Sequence, residues 1–164
     1  MKLPPRAFCW VFASVALAGC AGTYGPQSLQ TGTSLDQVAA TMGKPTARYP
    51  RAGGERVEYA RGPYGRHTYM LDFDAQDRLT GWQQVLAEPI FHEIRSGMTR
   101  DELLMAIGHP SESQTLAHQQ RMLWSYRYET PFCQWFQVGL DRQDRVVDTG
   151  YGPDPRCDAN FSTR

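Results

Sequence analysis

The chain has 164 residues, with 17 Lys and Arg against 17 Asp and Glu and a formal net charge of zero. That balance excludes the basic stripe on which a phosphate-backbone binder depends. It also excludes a polybasic membrane patch, so neither nucleic acid nor a charged lipid surface is an expected partner.

The N-terminus carries Lys2 and Arg6, then about twelve mostly apolar residues from Ala7 to Ala18, then the small pair Ala18-Gly19. This is the layout of a secretory signal over residues 1–19. A membrane-spanning helix needs about 20 apolar residues, and the run stops short of that at Cys20. Leu17-Ala18-Gly19-Cys20 resembles the bacterial lipobox. The resemblance implies cleavage between Gly19 and Cys20 and triacylation of Cys20, palmitate included. Each buried methylene of an acyl chain contributes about 0.8 kcal/mol, and stable anchoring takes more than one chain. In such lipoproteins an aspartate after the cysteine favours the inner membrane. Here that residue is Ala21, which implies the outer membrane, with the body facing the periplasm.

Residues 20–28 form the expected tether. Without the signal, fifteen cations remain against seventeen acids, a net −2. Cys9 departs with the signal and Cys20 takes lipid, so Cys133 and Cys157 are left for the mature fold. An oxidising compartment favours one bridge between them, worth roughly 3 kcal/mol in the chain-entropy model. Two unpaired thiols are the alternative. A catalytic thiol is not expected, because there is no Cys-x-x-Cys and no flanking cationic cluster.

The chain repeats itself. Gly32 to Pro45 aligns with Gly97 to Pro110 at an offset of 65, and Asp74 to Leu79 aligns with Asp141 to Val146 at an offset of 67. The first repeat is placed at 29–87 and the second, with a disulfide-tied tail, at 88–158. Each opens on a predicted two-turn helix. Ser34 or Thr99 is the N-cap, Gln37 or Glu102 completes a capping box, and Asp36 or Asp101 sits in the first turn. Gly43 and Gly108, each followed two residues on by proline, end the helices. Leu35, Val38 and Met42 form the apolar stripe of the first, and Leu103, Leu104 and Ile107 that of the second.

Period-two alternation then predicts three strands per copy. Val57 and Tyr59, then Tyr69, Leu71 and Phe73, then Leu79 mark those of the first. Trp124 and Tyr126, then Phe136, Val138 and Leu140, then Val146 mark those of the second. Between the copies, Ile90, Phe91 and Ile94 predict a further helical turn. A unit of about 60 residues buries too little surface to be secure alone, so the copies are expected to pack together.

The lipobox, Gly-x-Ser/Thr-x-x-Gln/Glu-Val/Leu, Gly-x-Pro, the aromatic strands and the Asp-x-x-Asp-Arg-Val/Leu hairpin together resemble the SmpA/OmlA, or BamE-like, lipoprotein family. What this implies is an α+β fold of two tandem helix-plus-three-strand antiparallel repeats. It also implies a non-enzymatic outer-membrane lipoprotein that supports β-barrel assembly or envelope integrity through protein binding. The β-lactamase-inhibitor proteins are similar in their tandem helix-plus-sheet repeats, so a periplasmic inhibitor or binding module is the alternative, with a purely structural lipoprotein as a third.

No catalytic, cofactor-binding or metal-ligating set is expected. His92-Glu93 opens like a zinc-protease helix, but Ser96 stands where the second histidine belongs. His67, His109 and His118 read as isolated, solvated side chains. Asp72, Asp74 and Asp77 lack the glycine and distal glutamate of a calcium loop, and Asp74 and Asp77 read as turn caps repeated at Asp141 and Asp144. Trp135 is the candidate for partner binding. Alternation that sends Phe136, Val138 and Leu140 toward the helix sends Cys133, Trp135 and Gln137 to the other face. There the indole is either covered by the tail or the other repeat, or left as an anchor.

Overall fold

The computed structural model describes residues 25–61 and 65–157. The first copy opens on α1 (Leu35–Met42), where the Ser34 side chain accepts from the Gln37 N–H and the Gln37 side chain accepts from the Ser34 N–H at 3.2 Å. The same box opens α3 (Arg100–Ile107), where Glu102 accepts from the Thr99 N–H at 2.7 Å. That backbone hydrogen bond holds the Glu102 carboxyl below the usual carboxylate range. Gly43 and Gly108 end the two helices at φ of +80° and +76°. Only glycine takes that conformation without steric cost.

Each copy carries four strands, one more than the alternation predicts. β1 (Ala47–Arg51), β2 (Gly54–Arg61), β3 (His67–Asp74) and β4 (Leu79–Gln84) form one antiparallel sheet in that order. β5 (Glu112–Leu116), β6 (Arg121–Arg127), β7 (Gln134–Leu140) and β8 (Val146–Pro153) form the second. The added strands, β1 and β5, are polar sheet edges with no apolar alternation, and β1 contains Pro50, which an edge tolerates because one side of its backbone needs no partner. Between the sheets, α2 (Glu88–Phe91) supplies the further helical turn, with Phe91 buried.

The two additional residues of the second copy sit in one hairpin. Arg51 pairs with Gly54 across a two-residue loop, whereas Leu116 pairs with Arg121 across four. Elsewhere the copies superpose in detail. Asp74 Oδ1 accepts from the backbone of Gln76 and Arg78 at 2.9 Å, and Asp141 Oδ1 does the same for Gln143 and Arg145. Asp77 and Asp144 occupy left-handed φ of +56° and +55°. Both third strands shift register at the matching place, Asp72/Phe73 and Gly139/Leu140.

On the front of the first sheet, Val57, Tyr59, Tyr69, Leu71, Phe73 and Leu79 bury against Val38 and Met42 of α1. In the second copy Trp124, Tyr126, Phe136, Val138 and Leu140 bury against Leu103 and Ile107 of α3. That second core extends into the first copy, because Met70, Val85 and Leu86 belong to it. Met70 lies on the back of the first sheet, the side away from α1. The body is therefore a four-layer stack of α1, first sheet, α2 with α3, and second sheet. No described helix is long and apolar enough to cross a membrane.

Candidate functional site

The polar chemistry of this body gathers at two places, the back of each sheet. Strand alternation turns Arg56, Glu58, Met70 and Asp72 away from α1 and toward α3. Glu58 is fully buried there. Its carboxylate accepts from the His109 N–H at 3.0 Å, from His109 Nδ1 at 2.8 Å and from the Tyr49 hydroxyl at 2.6 Å. Burial, then the hydrogen bond to Glu58, pushes the Tyr49 phenol far above its ordinary range.

Gly108 makes this contact possible, since a Cβ there would lie 2.8 Å from the Glu58 carboxyl. Its carbonyl accepts from the Tyr126 hydroxyl at 3.1 Å. Beside it, Arg56 grips Asp72 with two bonds of 2.7 and 2.9 Å and donates to the Met105 carbonyl of α3 at 3.1 Å. The Arg56 hydrogen bonds hold the Asp72 carboxyl below the usual range.

His109 is thus not the isolated side chain that its sequence context predicts. It sits in the seam with Glu58, 51 positions away in the chain. Glu58 itself is the residue that sequence reasoning missed, because a carboxylate on the polar side of an alternating strand reads as solvent-facing. His67 lies 3.8 Å from Glu129 at the other end of β3, and His118 occupies an exposed turn.

The back of the second sheet is built differently. Cys133, at a left-handed φ of +51°, is bonded to Cys157, with 6.0 Å between the α-carbons. The bridge brings the tail to the sheet, where the Asp154 N–H donates to the Cys133 carbonyl at 3.0 Å. Arg127 donates to Asp154 at 2.9 Å and to Glu112 at 3.1 Å. Its guanidinium lies 4.3 Å above the Trp135 ring.

Trp135 is 4% exposed. Of the two placements open to it, covered or left as an anchor, the indole takes the first: it is covered by Arg127, which the disulfide-tied tail holds down. Its Nε1 has no hydrogen-bond partner among the described residues. Further along this face Gln137 donates to Ser125 at 3.1 Å and Arg121 to Asp148 at 2.7 Å.

These clusters use their charges on one another. No described group of His, Cys, Asp and Glu has the arrangement of a metal site. An open depression of about 380 Å³ beside the tail is lined by Arg66, Arg127, Asp154, Arg156 and Cys157. Large apolar side chains reach solvent at Trp82, Phe132 and Tyr151. Gly19 and Cys20, the expected cleavage and lipidation pair, lie outside the described residues.

The bridge carries a direct expectation. Cys133→Ser should lower the stability of the oxidised protein by about 3 kcal/mol, while in reductant the variant and the parent should melt together. Thermal unfolding followed by circular dichroism, with and without reductant, measures both.

No family model matches the sequence, and no curated protein does. A solved structure of an extracellular protein containing an SCP domain, from Bacillus anthracis str. Ames, aligns at 12% identity with a TM-score of 0.26. The alignment covers 94% of this chain and 50% of that one. A likeness at that score carries no argument about fold or function, and this chain spans half the length of the protein it is aligned with.

Proposed function

We propose that this protein is a lipid-anchored, non-enzymatic envelope protein. It is held at the periplasmic face of the outer membrane by Cys20, and it binds another envelope protein in support of outer-membrane protein assembly or envelope integrity. The observation that carries the reading is Leu17-Ala18-Gly19-Cys20 at the end of a signal-like segment. It is followed by two copies of a capped helix on an antiparallel sheet, the pattern resembling the SmpA/OmlA, or BamE-like, family. Two features of the body support it. The disulfide suits an oxidising compartment, and the buried ionisable residues serve as ties between copies and to the tail. Glu58 spends its acceptors on His109 and Tyr49, and Arg127 spends its donors on Asp154 and Glu112.

The test begins at the anchor. Wild-type protein should fractionate with the outer membrane and carry acyl mass on Cys20, whereas Cys20→Ala should leave that fraction as an uncleaved precursor or a soluble product. An unacylated wild type, or a variant that keeps its place, would overturn the reading. Co-purification of the acylated protein from solubilised outer membranes then names the client. Barrel-assembly subunits support the assembly role, and a single soluble enzyme would replace it with inhibition.

A further inference from the structure

We propose that the surface around Trp82 rests on the lipid bilayer, an inference that depends on the acylation of Cys20 proposed above. Trp82 lies on the edge strand β4 and is 40% exposed, while Trp124 and Trp135 are 3% and 4% exposed. Its cross-strand partner is Leu71. In the second copy the matching pair is Val138 with Thr149, so this position of the sheet has no packing requirement for an indole.

The chain enters beside it. A Cβ on Gly25 would lie 2.8 Å from the Tyr69 hydroxyl, Gln27 donates to that hydroxyl at 3.4 Å, and the Tyr69 and Trp82 rings meet edge to face at 6.0 Å. The entering segment then meets the start of β4. Gly32 N–H donates to the Leu79 carbonyl at 2.7 Å and Leu79 N–H to the Thr33 carbonyl at 2.9 Å. Gly25 lies five positions after Cys20, and a fully extended chain over that span reaches at most about 18 Å. An acylated Cys20 therefore holds this end of the body close to the headgroups.

The two segments of chain that run beside it are themselves without charge. Residues 25–35 and 79–87 contain no Asp, Glu, Lys or Arg, in a chain that is 21% charged, and the charges that border them are Asp36, Arg78 and Glu88. Contact of these two segments with the bilayer thus strips no ion of their own of its water. At the junction of the two segments Arg78, which donates to the Gly32 carbonyl at 3.4 Å, stands where a cation suits the phosphate level. An indole with an apolar body and one N–H seats at this interface in preference to either side of it.

The three tryptophans of the chain after Cys20 make the test specific, since two are buried. Acylated protein is reconstituted into phosphatidylethanolamine/phosphatidylglycerol vesicles with and without brominated acyl chains, and the spectrum of Trp82→Phe is subtracted to isolate the Trp82 emission. Brominated chains are expected to quench most of that emission and leave the buried tryptophans unchanged. Acylated protein that floats with the vesicles but shows equal Trp82 emission in both overturns this inference and leaves the anchor standing. Shielding of Trp82 from iodide without bromine quenching assigns the surface to a second copy and overturns it too. Protein that carries no acyl mass and does not float overturns the anchor and this inference with it.

Discussion

Glu58→Ala is expected to lower the unfolding free energy by about 3 kcal/mol, the scale for removing one member of a buried charged cluster. The substitution takes the buried acceptor away from the His109 N–H and from the half-buried Tyr49 hydroxyl, and a polar group left without its partner costs about 1–3 kcal/mol. In a domain of this size the loss corresponds to roughly 10 °C in melting temperature. Urea unfolding distinguishes this from a change in the denatured chain, because the midpoint should fall while the slope stays constant. The companion change Gly108→Ala attacks the same contact from the other side. Its Cβ would lie 2.8 Å from the Glu58 carboxyl at a φ of +76°, and about 2 kcal/mol should be lost. If Glu58→Ala leaves the midpoint in place, the two copies do not depend on this carboxylate for their docking.

Trp135→Ala is the second large effect. Deleting a buried indole from a packed site costs about 3–5 kcal/mol, and here it also removes the ring on which the Arg127 guanidinium rests. The melting temperature should fall by roughly 10 °C or more, and capture of any client by the remaining folded protein should be unaffected. Trp135→Phe, which keeps an aromatic face under Arg127, should lose less than half as much. An unchanged melting temperature together with loss of a client would assign the indole instead to the anchor role that its strand position also allows.

Much of the fold is legible because its local signals agree. A capping box, a terminating glycine and a proline enclose α1 and α3 within a dozen residues, and aromatic and aliphatic residues at period two mark every central strand. β1 and β5 escape because Ala-Arg-Tyr-Pro-Arg and Glu-Ser-Gln-Thr-Leu have no apolar face; a central strand bonded to one side makes them strands, and that partner is distant information. Glu58 escapes for a related reason. Period-two reading separates two faces but assigns the polar one to water, and only the arrival of α3 from the next copy converts that face into an interior. For Trp135 the alternation is right about direction and silent about cover, because Arg127 and Asp154 reach the indole from strand and tail together.

The backs of the two sheets differ at a few matched positions, and those differences set how long the array can be. Glu58 and Met70, which receive α3, correspond to Ser125 and Gln137, which bond to each other; Ala60 and Thr68 correspond to Arg127 and Trp135, which the tail seals. A repeat array ends where its last face is polar and self-satisfied. The first sheet is an acceptor and the second a terminator, so a third unit appended after residue 157 would find no seat. Growth of this protein by further duplication would first require rewriting Ser125, Arg127 and Gln137 and releasing the tail from Cys133.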